Sequence, residues 1–279
     1  VSFKSSPYGG VSHSYCDQNG FAILKGGRAL ARPGGERYPQ HGTPFHTEYT
    51  QQTIAQNSIL VDGFGQKRKD SRAVGRITAF RSMPEYGYVC GDATSAYAGR
   101  LTRFSRHVLL LRPSVVCVVD DLEAPEAAEY QWLMHASDQL DLDERYQTLV
   151  SRRADASMKV HLLTPNGFRF HQTDQWPISP KEGYPTATKT EPRKLWHFTA
   201  TSKRRAKNRR IAAIMVIGDQ DEQPRYDLNQ LPGDVFVLNT RGQDGTATVR
   251  MDLGASSSSP PLEIRCTDAH GKETVFKTE

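Results

Sequence analysis

The sequence predicts an all-β fold of stacked antiparallel sheets, a super-sandwich, and three observations support that reading. Short β-branched and aromatic runs recur along the chain, separated by clusters of Gly, Pro, Asp and Asn. No stretch sustains apolar spacing at 3.6 residues, so only short helices are expected. Arg112-Pro113-Ser114 joins two apolar runs as a hairpin connection does, with Pro at a turn position.

The elements follow in chain order. Phe21 to Leu24 is the first strand-like run, after a polar, turn-rich lead-in, and Ile59-Leu60-Val61 is the second. Tyr86 to Cys90 comes next, then Thr94 to Ala98, which is long enough for a turn or two of helix. His107 to Leu111 and Val115 to Val119 flank the hairpin connection, and Tyr130 to His135 follows. Met158 to Leu163, Ile211 to Ile217, Val235 to Leu238 and Ala247 to Met251 carry the same signal. Ala255 to Pro261 reads as a flexible surface loop, or as a seam before a last strand pair. Residues 1–279 are expected to form one domain, with the strands after the 255–261 loop either part of it or a separate edge. Gln172 to Lys194 is interrupted by proline and poor in apolar residues. A loop of that length is either a surface excursion or a cover over a groove.

Composition sets further bounds. The 279 residues are 37% hydrophobic and 24% charged, enough to bury a sizeable core. No apolar run is long enough to span a bilayer, so no membrane partner is expected. The chain opens at Val1 rather than Met, as a processed protein or a piece of a longer one would. A net charge of +5 suits an anionic partner, although solubility alone accounts for so small an excess. Nucleic acid is not expected, because no basic stretch interleaves with aromatics and no binding motif is present. The four cysteines lack metal-site spacing, and Cys117, inside Val115 to Val119, reads as a small buried hydrophobe. Asp120-Asp121 is expected to end its strand and cap a turn. Lys203 to Arg210 is either a solvated hairpin tip or a grip on an anionic chain.

The densest chemistry lies between Ser5 and Gln66. Ser12, His13, Ser14, Tyr15, Asp17, Gln18 and Asn19 crowd between the Gly9-Gly10 turn and the Phe21 strand. Ala55-Gln56-Asn57-Ser58-Ile59-Leu60-Val61-Asp62-Gly63 closes the segment. Titratable and amide side chains packed this way suit a polar substrate, provided that the fold brings the two halves together.

These residues resemble the heparinase II/III-like polysaccharide lyases, including the exolytic alginate lyases. Members of that family carry a segment close to G-x-x-S-H-x-H-x-D-Q-x-x-F and, some forty residues on, A-H-N-(S/T)-(I/V)-x-V-D-G. The first is matched by Ser12, His13, Asp17, Gln18 and Phe21, with Gly10 one residue out of register, and the second by Ala55, Asn57, Ser58, Ile59, Val61, Asp62 and Gly63. Arg106 to Pro113 running into Val118 to Leu122 is similar to the family's central strand pair.

The resemblance implies the C-terminal sheet domain of a toroid-plus-sheet lyase. Its partners would be an acidic polysaccharide and an upstream helical toroid of the same protein. It also implies a periplasmic or secreted location. The chemistry implied is β-elimination at a uronic acid, with most of the acid and base machinery in the toroid. His13 would be the catalytic contribution of the sheet domain, neutralising or relaying charge at the substrate carboxylate. Tyr15, Gln18, Asn19, Gln56 and Asn57 would bind substrate, and His46 would approach it from the Gly42 to Phe45 loop.

Several family members hold zinc through the second His of H-x-H, an Asp in an apolar-Asp-x-Gly segment, and the His of A-H-N. Here those positions fall on Tyr15, on the acid-free segment 30–35, and on Gln56, so no metal or other cofactor is expected. The isolated chain is expected to be inactive. The alternative is a carbohydrate-binding or structural domain that has lost catalysis with its metal site.

Overall fold

The computed structural model describes residues 1–7, 11, 13–34, 40–181, 194–220, 224–242, 245–254, 259–268 and 270–278. Four antiparallel sheets account for the fold. The central sheet has eight strands. Four of them make up consecutive hairpins on one side: Arg76–Ser82 (β5), Tyr86–Asp92 (β6), Arg103–Leu111 (β7) and Val115–Ala128 (β8). The other four are Asp141–Asp143 (β10), Thr148–Arg153 (β11), Ala156–Leu163 (β12) and Ala206–Asp219 (β15), in the order β10-β11-β12-β15-β8-β7-β6-β5. The hairpin at Arg112-Pro113-Ser114 therefore forms as expected, and Thr94–Tyr97 is a short 3-10 helix.

Side-chain alternation explains why the long strands read as unbroken apolar runs. Even-numbered residues of β7 and β8, such as Phe104, Val108, Val116, Val118 and Leu122, enter one core. Odd-numbered Leu109, Cys117 and Val119 enter a second core on the opposite face. A strand covered on both faces needs apolar residues at every position. Cys117 is fully buried in the second core, and all four cysteines are free.

Two smaller sheets cover the first face. Ser2–Lys4 (β1), Gly20–Lys25 (β2) and Arg28–Ala31 (β3) form one. Ile59–Val61 (β4), Tyr130–Ala136 (β9), Phe168–Thr173 (β13) and Trp196–Ser202 (β14) form the other, in the order β13-β14-β9-β4. Trp132, Phe198 and Ile59 carry their share of the first core. The second face packs on a five-stranded meander of Tyr226–Leu231 (β16), Val235–Gly242 (β17), Gly245–Asp252 (β18), Leu262–Asp268 (β19) and Glu273–Lys277 (β20). The last strand pair expected after residue 261 is β19 with β20, and it completes this meander.

Three sequence expectations change. Asp120 does not end its strand: β8 runs on to Ala128, and Asp120 sits mid-strand in the first core. Of the basic run, only 203–205 lie in the turn between β14 and β15. Arg209 and Arg210 belong to β15 and are buried, donating to the Pro165 and Arg204 carbonyls and to the Asp252 and Ser259 carbonyls respectively. The tract from Gln172 to Lys194 begins as the end of β13, and Trp176 and Ile178 then pack on Phe45, Tyr49 and Ala55. Its residues 182–193 lie outside the described residues, as do 255–258 of the late loop, Gly9-Gly10 and Ser12.

Candidate functional site

The fold brings the two motif segments side by side, and a buried ion pair joins them. The β7–β8 register sets Arg106 directly opposite Asp120, and both side chains are fully buried. The guanidinium fork meets the carboxylate through two hydrogen bonds, of 2.5 and 2.8 Å. Its remaining terminal nitrogen donates to the Asn19 carbonyl at 2.6 Å and the Asn57 carbonyl at 2.9 Å. One arginine thus ties the first motif, the second motif and the central sheet. Opposite charges that satisfy each other's hydrogen bonds are tolerated in such a core, whereas either one alone is not.

The amides that sequence reasoning assigned to substrate serve the backbone in this structure. Gln18 is buried; its side-chain oxygen accepts from the Ser6 amide at 2.8 Å, and its main chain exchanges two hydrogen bonds with the Gln66 side chain. Asn19 adopts a positive φ of 55°, which ends the Asp17–Gly20 turn, and donates to the Gly91 and Phe104 carbonyls. A Cβ on Gly91 would stand 2.4 Å from the Asn19 side-chain oxygen, so the contact needs glycine there. Asn57 donates to the Phe21 carbonyl at 2.9 Å and accepts from the His135 amide at 2.9 Å. Gln56 is buried and donates to the Thr50 carbonyl at 3.1 Å. A glycan must be met by groups that reach solvent, and these four amides lie beneath that layer.

A file of three histidines starts on the first motif segment at His13. His13 is exposed and Tyr15 is half-buried on a loop whose Cys16 amide donates to the Gln51 carbonyl at 2.9 Å. Phe45–Thr50 forms a single six-residue helical turn that sequence periodicity did not reveal, and it carries His46. Ring centroids place His13 5.6 Å from His41, and His41 4.9 Å from His46. His46 is buried, and its Nδ1 accepts the Gly42 amide at 3.2 Å, which leaves the proton of a neutral ring on Nε2. The three imidazoles therefore step from solvent into the fold.

A second polar group includes Tyr49 of the same turn and was not singled out in the sequence. Tyr49 Oη lies 3.1 Å from His197 Nδ1, and the His197 and His135 rings are 5.2 Å apart. His135 Nδ1 lies 3.1 Å from Asn57 Oδ1, and its Nε2 lies 2.9 Å from the Ile54 carbonyl. Gly34 closes over this group, and a Cβ there would meet the His135 ring at 2.7 Å. Burial pulls His135 down to about 3 and His197 down to about 4, and it raises Tyr49. The sequence offered one signal, the histidines that end Tyr130 to His135 and open the strand around Trp196, but nothing in it paired them.

The donor set does not suit zinc. Neither Tyr15 nor Gln56 offers a His, Cys or carboxylate ligand, Gln56 already donates to the backbone, and the 30–35 segment contains no acidic residue. Among the described residues, no group of three His, Cys, Asp or Glu side chains is placed to hold a metal. Also among the described residues, no helix is long and apolar enough to cross a membrane.

The heparinase II/III-like, C-terminal family matches residues 1–250. No curated protein matches the chain. Among solved structures, a heparinase III superposes with a TM-score of 0.64 at 14% identity, over 98% of this chain and 38% of that one. The heparan sulfate lyase HepC from Pedobacter heparinus gives 0.62 at 14% identity, over 95% of this chain and 37% of that one. A further heparinase III gives 0.56 at 12% identity, over 99% and 37%. At these identities the superpositions establish the shared fold, and the chain spans less than two fifths of each of these structures. By the match over residues 1–250, the chain belongs to the heparinase II/III-like family, as its C-terminal sheet region.

Proposed function

We propose that this chain forms one wall of the cleft of a lyase that cleaves a uronic-acid-containing polysaccharide by β-elimination, completed by an upstream helical domain. The observation that carries the reading is the exposed His13, standing first in a file of three imidazoles on a loop fixed by the Arg106–Asp120 pair. In β-elimination a base takes the C5 proton, and the C5–H electron pair becomes the C4–C5 double bond. The C4–O bond then breaks, and an acid protonates the leaving oxygen. The C5 proton becomes acidic enough only when the neighbouring carboxylate is neutralised.

His13 has the chemistry to hold that carboxylate, with Tyr15 beside it as a donor. His41 and His46 stand behind as polarisable, hydrogen-bonding neighbours. Gln18, Asn19, Gln56 and Asn57 enter this account as the frame that sets the height of the loop. The reading requires no metal. It also makes the isolated chain inactive, because a complete acid and base pair is not assigned within it.

The second reading, a binding or structural domain without catalysis, is favoured by those same amides, since they are turned away from solvent. One experiment separates the two. In the native polypeptide, kcat/KM for His13→Ala is compared on a uronate polymer and on its carboxyl-esterified form. Loss of about 100-fold or more on the acidic polymer, with a much smaller loss on the ester, supports the carboxylate role. Equal activity of wild type and variant on the acidic polymer removes His13 from the reaction.

A further inference from the structure

A groove of about 700 Å³ lies on the far side of the central sheet, between its free edge at β5 and β6 and the C-terminal strand β20. That volume is within the range of ligand sites. Its lining mixes ring faces with hydroxyls and cations. Phe80 projects from β5 with 75% of its surface exposed. The Arg81 guanidinium lies 4.5 Å from the centre of the Phe276 ring, and Tyr88 packs on that ring at 4.9 Å. Stacking presets the position of a cation that, among the described residues, has no carboxylate partner. Lys277 lines the same rim and is shared with Glu263 at 3.2 Å.

The floor is polar, and its charges are paired: Asp92 lies 3.6 Å from Arg76, and Arg103 meets Asp121 and Glu123 at 3.1 and 2.6 Å. Tyr88 Oη lies 2.8 Å from His107 Nδ1, and burial pulls His107 down to about 4. Thr94, Thr102 and Ser105 supply further hydroxyls.

The edge strand argues against a peptide as occupant. All seven residues of β5 are exposed, but its pairing with β6 shifts register between Ile77 and Ala79, and it carries Arg76 and Arg81. A bulged, charged edge resists the addition of another strand. An exposed aromatic face beside hydroxyls and a preset guanidinium instead fits a pyranose ring bearing an acidic group.

We propose that this groove is a second glycan-binding site, in which Phe80 stacks on a sugar ring and Arg81 holds a carboxylate or sulfate of an acidic polysaccharide. The class of glycan rests on the lyase reading above, while the site itself lies outside the histidine cleft. It would hold a distant stretch of the same polymer and raise its local concentration at the cleft.

Equilibrium binding of the native polypeptide to heparan sulfate, alginate and neutral dextran tests this, each in a His13→Ala background so that the cleft is held constant. Thermal unfolding checks that each variant folds; both altered side chains are exposed. Phe80→Ala is expected to weaken binding to the acidic polymer that binds best by about tenfold, the scale of one aromatic contact. Arg81→Gln is expected to weaken the same polymer several-fold and to leave dextran unchanged. Unaltered affinity of folded Phe80→Ala and Arg81→Gln for every polymer overturns the site. So does a Phe80→Ala variant whose self-association changes while its glycan affinity does not, because the occupant is then protein. Turnover by wild type and by His13→Ala is read separately, so failure of the cleft and failure of the groove give different results.

Discussion

Arg106 shows what a single residue does in this fold. Its charge is balanced by Asp120 and its spare donors are taken by the Asn19 and Asn57 carbonyls, so removing one partner strands the other in the core. Asp120→Asn is expected to lower unfolding stability by about 3–5 kcal/mol, the range for breaking a buried pair from one side. A denaturant midpoint equal to wild type would contradict that role. Gly91→Ala is expected to be destabilising by about 1–3 kcal/mol, since its methyl would overlap the Asn19 side-chain oxygen and overpack the site. At this scale the sequence was partly legible. The polar cluster singled out Asn19 and the motif Asn57, but neither gave a sign that these amides face the backbone, because that depends on Gly91, Phe21 and His135, which pair with them through the fold. Nor did it give Arg106 its job, which follows only from the β7–β8 register.

Strands tell the same story one level up. Runs such as Val115 to Val119 and Ile211 to Ile217 were legible because they lie in strands buried on both faces, with apolar residues at successive positions. Strands β5, β13 and β14 were not. β5 is exposed along its whole length and mixes arginines with Ile77, Ala79 and Phe80, and β13 and β14 are short and rich in polar residues. The basic run misled because Arg209 and Arg210 lie in a buried strand yet reach carbonyl acceptors, so charge alone did not mark them as solvated.

Imidazoles buried in β7 and β9 and half-buried in β14 contribute to the pH dependence of the fold. His107, His135 and His197 titrate near 6.5 when unfolded, and burial pulls them to about 4, 3 and 4 when folded. Between those values the unfolded chain binds more protons, so stability is full above pH 6.5 and falls as pH drops through this window. The melting temperature is expected to decline steadily from pH 7 to pH 5, before most carboxylates titrate. A flat profile over that interval would show that these histidines are hydrated rather than buried.

The whole molecule is a central sheet faced on one side by two small sheets and on the other by a meander, and the two faces have different work. The small sheets carry the motif segments and hold the histidine file at their margin, while the meander encloses the second core and bounds the outer groove. The layer arrangement and the family were legible in the sequence, through strand spacing and two motifs. The second polar group around His135 and His197 was not, because strand pairing and a helical turn bring its members together from three separate stretches.

The most direct measurement is the ultraviolet absorbance of unsaturated uronate, followed as the native polypeptide acts on a panel of acidic polysaccharides. Absorbance is expected to grow with wild type on at least one uronate polymer without added metal, at a rate that falls by about 100-fold or more in His13→Ala. Absence of product on every polymer from a folded wild-type protein would contradict it, and would leave a domain that binds glycan without cleaving it.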